Sequence, residues 1–222
     1  MADYNLASFP PPAPGAAELK VSGSLTSSNV NAFIEKLEGL LTDGVRVIII
    51  GMKDILHISS AALAELVSVA DRLDRQGGAV ILSEVQPKTR VIIDTLGLRR
   101  IFEMVGTIDE GRTSAKARAE KLARAPRLVS LVEGKPAQEY PIVAAKLTLG
   151  SDLKNAIVLQ HPQVEPFHVE VSAAGDKAVV RDLGSRFGSF IDGTRVKGEG
   201  SLPQFATLSI ATFKFTYARG RG

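Results

Sequence analysis

The sequence predicts two domains of different class, an N-terminal α/β domain in which a sheet is covered by helices and a C-terminal all-β sandwich. Three observations carry this. In residues 17–111, strand-like β-branched runs alternate with helical stripes, the pattern of a largely parallel sheet. In residues 127–218, short alternating segments are split by Gly, Pro and Asp, and no long helical stripe appears. Between them lies a linker at residues 112–126, where the Ala, Lys, Arg and Glu content of Ser114–Ala125 favours a helix that Pro126 stops.

Residues 1–16 read as a disordered tail, because Phe9-Pro10-Pro11-Pro12-Ala13-Pro14 fits neither a helix nor a central strand. Leu19-Lys20-Val21 alternates like a strand. Ser27 or Ser28 is the expected cap of a helix whose stripe is Val30, Phe33, Ile34, Leu37, Leu40 and Leu41. Val45–Ile50 is a nearly continuous apolar run, expected of a strand covered on both faces. A second helix is predicted over 60–75, with Leu63, Leu66, Val67, Ala70 and Leu73 on one face. Gly77-Gly78 breaks it, and Ala79–Leu82 is another buried strand. A third helix over 88–97 is expected to turn Val91, Ile92, Thr95 and Leu96 inward. Ile101-Phe102 and Val105 finish this domain. In the second half, strands are predicted at Leu128–Val132, Ile142–Leu149, Ala156–Leu159, His168–Val171, Ala178–Asp182, Phe190–Ile191, Thr207–Ile210 and Phe213–Tyr217. The end, Ala218–Gly222, is expected to fray.

The net charge of +3 is unevenly spread. Residues 1–111 hold 10 Lys+Arg and 14 Asp+Glu, whereas residues 112–127 hold six basic residues and only Glu120. That basic segment carries no aromatic residue, so it reads as a solvated linker helix and not as a nucleic-acid contact. The chain has no Cys, which excludes disulfides and thiolate metal sites and fits a reducing, cytoplasmic setting. No apolar run approaches the roughly 18 residues of a membrane span. The N-terminus lacks the basic-then-apolar order of a secretory signal.

The stretch Val21–Leu41, then Val45–Ile50, Ile58-Ser59-Ser60-Ala61-Ala62-Leu63 and Gly97-Leu98-Arg99-Arg100-Ile101-Phe102, resembles a STAS domain over residues 17–111. The family includes antagonists of anti-sigma factors. In it a loop reading Asp-Ser-Ser-Gly opens the second helix, and its first Ser is phosphorylated by a partner kinase. Here Ser60 matches that Ser, Ser59 replaces the Asp, and Ala61 and Ala62 replace the second Ser and the Gly. A phosphate on Ser60 would meet free amides and the positive end of a helix. The competing reading makes Ser59 or Ser60 a plain cap. The resemblance implies a partner-binding surface around His57, Ser59, Ser60 and Leu63. His57 alone, beside a buried strand, reads as a packed core residue.

Leu147–Ser151, Asn155–Leu159, Val164–Val169 and Asp182–Gly193 resemble, in that order, the motifs of a forkhead-associated (FHA) domain, spanning residues 127–218. The family is a β-sandwich whose loops at one end bind phosphothreonine peptides. This chain departs from it where binding occurs. The family's Gly-Arg is Gly150-Ser151, the Ser of its Ser-x-x-His is Glu165, and the Asn of its Asn-Gly is Phe187. His168, Ser185 and Gly188 remain, His168 as a scaffold residue tying loops together. A micromolar complex holds about 8 kcal/mol in total, and each charge-assisted hydrogen bond lost removes about 1.5–3 kcal/mol. Glu165 adds a like charge beside the phosphate. The resemblance therefore implies a degenerate domain that binds protein without phosphate, through loops bearing Ser151, Glu165, Ser185, Arg186 and Phe187. An aromatic on a loop is a natural anchor.

No phosphate loop and no nucleophile elbow occurs. Ser151-Asp152-Leu153-Lys154 matches a serine-lysine motif but lacks its partners, and His161, Glu165 and His168 match no helical zinc spacing. The expectation is a non-enzymatic signalling adaptor or scaffold with protein partners, possible self-association, no cofactor, no metal, no nucleic acid and no membrane insertion. The alternatives are a phospho-dependent partner switch, through Ser60 or a phosphothreonine, and a structural subunit of a large bacterial assembly.

Overall fold

A computed structural model describes residues 4–131 and 137–220. Val132, residues 1–3 of the expected tail and residues 221–222 of the expected frayed end lie outside the described residues. The chain divides into two compact units, with residues up to 121 (apart from 75–77) in the first and the rest in the second.

The first unit is a five-stranded sheet in the order β1-β2-β3-β4-β5. Its elements follow the chain as β1 (Asn5–Phe9), β2 (Ala16–Leu25), α1 (Val30–Thr42), β3 (Val47–Ile58), α2 (Ser60–Arg75), β4 (Ala79–Ser83), α3 (Pro87–Thr95), β5 (Phe102–Val105) and α4 (Ile108–Arg124). Strands β2 to β5 pair in parallel. One face of the sheet, with Ile48, Ile50, Val80 and Leu82, forms a core with Phe33 and Leu37 of α1, Leu66 and Leu73 of α2, and Ile93 of α3. The strand register places Val47, Ile49 and Ile81 on the other face, and these too are fully buried.

Helix α4 covers that second face. A side chain at Gly111 would meet Ile49, Val105 and Ile81, so the glycine lets the helix lie close to the strands. Ala115 and Ala119, four and eight residues on, are buried along the same seam. The basic segment 112–124 is therefore not a solvated linker. Its small residues pack on the sheet and its cations lie outside: Arg118 reaches Glu103 at 3.1 Å, and Arg112 forks onto Glu18 at 2.7 and 2.8 Å.

Three other expectations are revised. The expected disordered tail contains β1, which pairs antiparallel with β2 from Asn5↔Ser22 to Phe9↔Glu18. Its five residues precede the prolines, so every amide can donate, and Leu6 packs against the core. Neither Ser27 nor Ser28 caps α1. Asn29 precedes the helix and braces the turn, accepting from the Thr26 amide and donating to the Ser24 carbonyl, both at 2.9 Å. Finally, α3 buries Thr89 and Ile93 but leaves Val91, Ile92, Thr95 and Leu96 exposed.

The second unit packs two sheets around one core. Its strands are β6 (Arg127–Ser130), β7 (Glu139–Pro141), β8 (Leu147–Gly150), β9 (Ile157–Val158), β10 (Val169–Ala174), β11 (Lys177–Asp182), β12 (Ser189–Ile191), β13 (Thr194–Arg195), β14 (Glu199–Pro203), β15 (Thr207–Ile210) and β16 (Phe213–Ala218). The sheets run β14-β11-β10-β8-β9 and β13-β12-β15-β16-β6-β7. Pairing within them is antiparallel except for β8 with β9. Alternating residues such as Leu147, Leu149, Val169, Val171, Leu208 and Phe215 meet between the sheets. Among the described residues no helix is long and apolar enough to cross a membrane.

The β14–β15 turn carries local strain. Ala206 donates to the Pro203 carbonyl at 3.2 Å, which puts Phe205 at the position of a turn that favours glycine, with φ of +68°. Its ring is exposed. Phe205→Gly is expected to stabilise the second unit by about 0.5–1 kcal/mol, seen as a rise of a few degrees in its melting midpoint.

Candidate partner-docking surfaces

In the first unit, the candidate surface lies where β3 runs into α2. Ser59 leaves the end of the strand with its amide bonded to the Leu25 carbonyl at 2.8 Å. Its hydroxyl accepts from the Ala62 amide at 3.2 Å, so Ser59 is the cap of α2. Ser60 is the first helical residue and is exposed. The two serines have different roles, and the capping role falls on the residue that replaces the family's Asp. His57 is exposed on β3 and is not a packed core residue, because a register shift between Ile55 and His57, opposite Gly23 and Ser24, breaks the strand alternation and turns Ile58 inward in its place. Leu63 is buried in the core at 4% exposure and cannot be a contact residue; its place in the α2 stripe with Leu66 and Ala70 turns it to the sheet. Leu56, 72% exposed, was not singled out by sequence reasoning, although a leucine breaking the alternation of β3 was its signal.

In the second unit, three loops meet around His168. Its ring is fully buried. Nδ1 accepts from the Glu165 amide at 3.1 Å, which leaves the proton on Nε2, facing the Gly188 carbonyl at 3.4 Å. Backbone bonds reinforce the bundle: the Ser151 amide to the Glu165 carbonyl at 2.9 Å, Asp152 to Pro166 at 3.1 Å, and Leu183 to His168 at 3.0 Å. Gly150 permits this closeness, because a Cβ there would sit 2.2 Å from the Pro166 carbonyl oxygen.

The loop 183–188 is organised by Asp182. Its carboxylate accepts from the amides of Gly184 (3.0 Å), Ser185 (2.7 Å) and Ser189 (3.1 Å), and from the hydroxyls of Ser185 (2.7 Å) and Ser189. Burial pushes its pKa up, but the hydrogen bonds from Ser189, Ser185 and Gly184 outweigh that and hold the carboxyl below the ordinary range. Ser185 is buried and its hydroxyl proton is given to Asp182. Arg186 and Phe187 are exposed next to it, the guanidinium 5.5 Å from the ring centroid. Ser151 and Glu165 are half-buried beside the same loops. Sequence reasoning missed Arg195, whose guanidinium donates to the carbonyls of Ser185 and Arg186 at 3.4 Å each from the neighbouring strand. Asp182 was read there as the end of a strand and the first residue of a motif, with no role in holding the loop. Phe167 and Leu183 add exposed apolar surface to these loops.

The family models agree with this division. Residues 12–111 match the STAS domain and residues 147–211 match the FHA domain. No curated protein matches the chain. Among solved structures, the chain is similar to an anti-sigma factor antagonist from Mycobacterium paratuberculosis, at 19% identity over 50% of this chain and 94% of that one, with a TM-score of 0.44. It is similar to the FHA domain of a Chlamydia trachomatis protein, at 19% identity over 43% of this chain and 98% of that one, TM-score 0.41. It is also similar to Mycobacterium tuberculosis EmbR in complex with a low-affinity phosphopeptide, at 19% identity over 88% of this chain and 52% of that one, TM-score 0.40. The two model matches fall on the two units described above, and they show that the chain joins a STAS domain at residues 12–111 to an FHA domain at residues 147–211.

Proposed function

We propose that the chain is a non-enzymatic adaptor of the bacterial cytoplasm, holding one protein partner through each domain, and that its FHA loops dock a protein surface without a phosphothreonine. The observation that carries this is the state of the 183–188 loop. The hydroxyl of Ser185 is committed to Asp182, while the neighbouring Phe187 presents an exposed ring with Arg186 stacked on it. A pocket for a dianion needs free donors, whereas an exposed ring on loops that also expose Leu183 and Phe167 suits an apolar anchor on a protein. The test is affinity capture from cell lysate, in parallel with phosphatase-treated lysate, using the chain and its Phe187→Ala variant. The same partner is expected from both lysates, and Phe187→Ala is expected to weaken it by about 2 kcal/mol, roughly thirtyfold. Loss of the partner after phosphatase would mean that Arg186 and Arg195 read a phosphate.

A second reading concerns the STAS domain alone, and one observation favours it. Because Ser59 supplies the cap, Ser60 is left exposed at the start of α2, where an added phosphate would face free amides. If Ser60 is a switch, Ser60→Asp changes the affinity of the STAS partner by about tenfold and Ser60→Ala does not. Equal affinities for both variants would end that reading.

A further inference from the structure

Helix α3 of the STAS domain faces solvent with its apolar side. Val91, Ile92 and Leu96 are 63%, 42% and 59% exposed, while the helix is held to the core through Thr89 and Ile93. Single exposed apolar residues are ordinary, but two on a helix of nine residues and a third at its C-cap form a patch. Helical spacing puts Lys88, Ile92 and Leu96 in one row and Val91 and Thr95 in the next. The patch is therefore a stripe with a cation at its N-terminal end, and Arg99 and Arg100 follow its C-terminal end.

The charge around the stripe differs from the rest of the domain. Residues 87–101 hold Lys88, Arg90, Arg99 and Arg100 against Asp94, a net of +3. The remainder of residues 1–111 holds six Lys+Arg and thirteen Asp+Glu. Asp94 is matched by Arg99 through two hydrogen bonds, one of 2.8 Å. Lys88 and Arg100 are both exposed and have no anion on this segment to neutralise them.

We propose that this face docks an acidic amphipathic helix of a protein partner, its apolar side on Val91, Ile92 and Leu96 and its carboxylates at Lys88 and Arg100. Apolar contact supplies the affinity, and the cations set which helices are accepted. A second copy of the same face is a poor occupant, because symmetric pairing would bring two clusters of like charge together. A bilayer is a poor one as well, since three side chains on so short a helix bury little apolar area. The residues of this surface are not those named at the start of α2 or in the FHA loops, so the inference does not rest on either reading above.

The probe is a fluorescein-labelled designed peptide of about 18 residues, long enough for roughly five helical turns, with Leu on one face and Glu on the other. Controls are the same peptide with Lys for Glu and a scrambled sequence. With the full chain, anisotropy is expected to show binding in the tens of micromolar for the acidic peptide and binding at least about tenfold weaker for both controls. Leu96→Ser combined with Val91→Ser should weaken the acidic peptide by about tenfold or more, and hydrogen exchange should slow over residues 88–101 on binding. Lys88→Glu, on an exposed side chain, carries the same test if the double variant fails to fold. The proposal is overturned if the acidic peptide does not bind, or binds the variants as well as the original. It is also overturned if vesicles of phosphatidylcholine and phosphatidylglycerol sediment the chain but not the variants, which would make the occupant a membrane. Light scattering that finds a dimer dissolved by these variants would make it a second copy.

Discussion

Replacing Arg112 with alanine is expected to destabilise the STAS domain by clearly more than the loss of a surface ion pair does, because it leaves a buried carboxylate without its partner. Glu18 is 4% exposed in β2, and both of its oxygens are held by the Arg112 fork at 2.7 and 2.8 Å. Without the guanidinium, a carboxylate is left under α4 with no partner. Arg112 itself reaches solvent and also meets Asp109 at 3.0 Å, so the cost comes from stranding Glu18 and not from losing a surface contact. Glu18→Gln in the Arg112→Ala background removes the stranded charge and should recover more than half of the loss. The measurement is denaturant unfolding of the full chain, read on the transition of the STAS domain. A loss below about 1 kcal/mol, as for a surface pair, would show that Glu18 reaches water by local rearrangement.

Asp182→Ala is expected to cost the FHA domain about 3 kcal/mol and to loosen the loop that carries Arg186 and Phe187. Five donors converge on this carboxylate, each bond being worth about 0.5–1.5 kcal/mol net and not fully additive. The pH dependence follows from the depressed pKa. The folded state holds the carboxyl below its unfolded value of about 3.9, so the stabilisation is complete above that value and is lost as pH falls through the folded pKa. The domain should therefore lose stability below about pH 4, and Asp182→Asn should flatten that loss. Thermal unfolding from pH 7 to pH 3 reads both. A variant with the same acid slope as the original would assign the loss to other carboxylates.

The proposed Phe187 contact depends on the same residue. If Asp182 sets the loop, Asp182→Ala should weaken partner capture nearly as much as Phe187→Ala, while leaving the Phe187 side chain in place. The strain at Phe205 lies in a different turn, at the other end of β11 from Asp182, and should not matter for that capture.

Residues close in the chain made much of the fold legible. The stripe from Val30 to Leu41, the apolar run Val45–Ile50 and the glycines that end helices set periods and breaks that any window of the sequence displays. The motifs from Leu147 to Gly193 placed His168 correctly as the tie between loops, because its chemistry demands two partners wherever it is buried. The same periodicity misled at α3. Apolar spacing says which residues share a face, but it does not say whether anything covers that face, and here Val91, Ile92 and Leu96 point away from the sheet. It misled at the basic helix too, where the cations hid the Gly111, Ala115, Ala119 seam that the second sheet face requires.

Local periodicity and turn chemistry were enough to read the two domains, their order and their fold classes, and the motifs of each half carried its resemblance to the STAS and FHA families. Which side chains are available to a partner was set by the folded arrangement. It gave the cap to Ser59 and left Ser60 and His57 outside, buried Leu63, committed the Ser185 hydroxyl to Asp182, and brought Arg195 to the loop from another strand. Exposure and hydrogen-bond partnership are set by neighbours distant in the chain, and no local pattern carries that information.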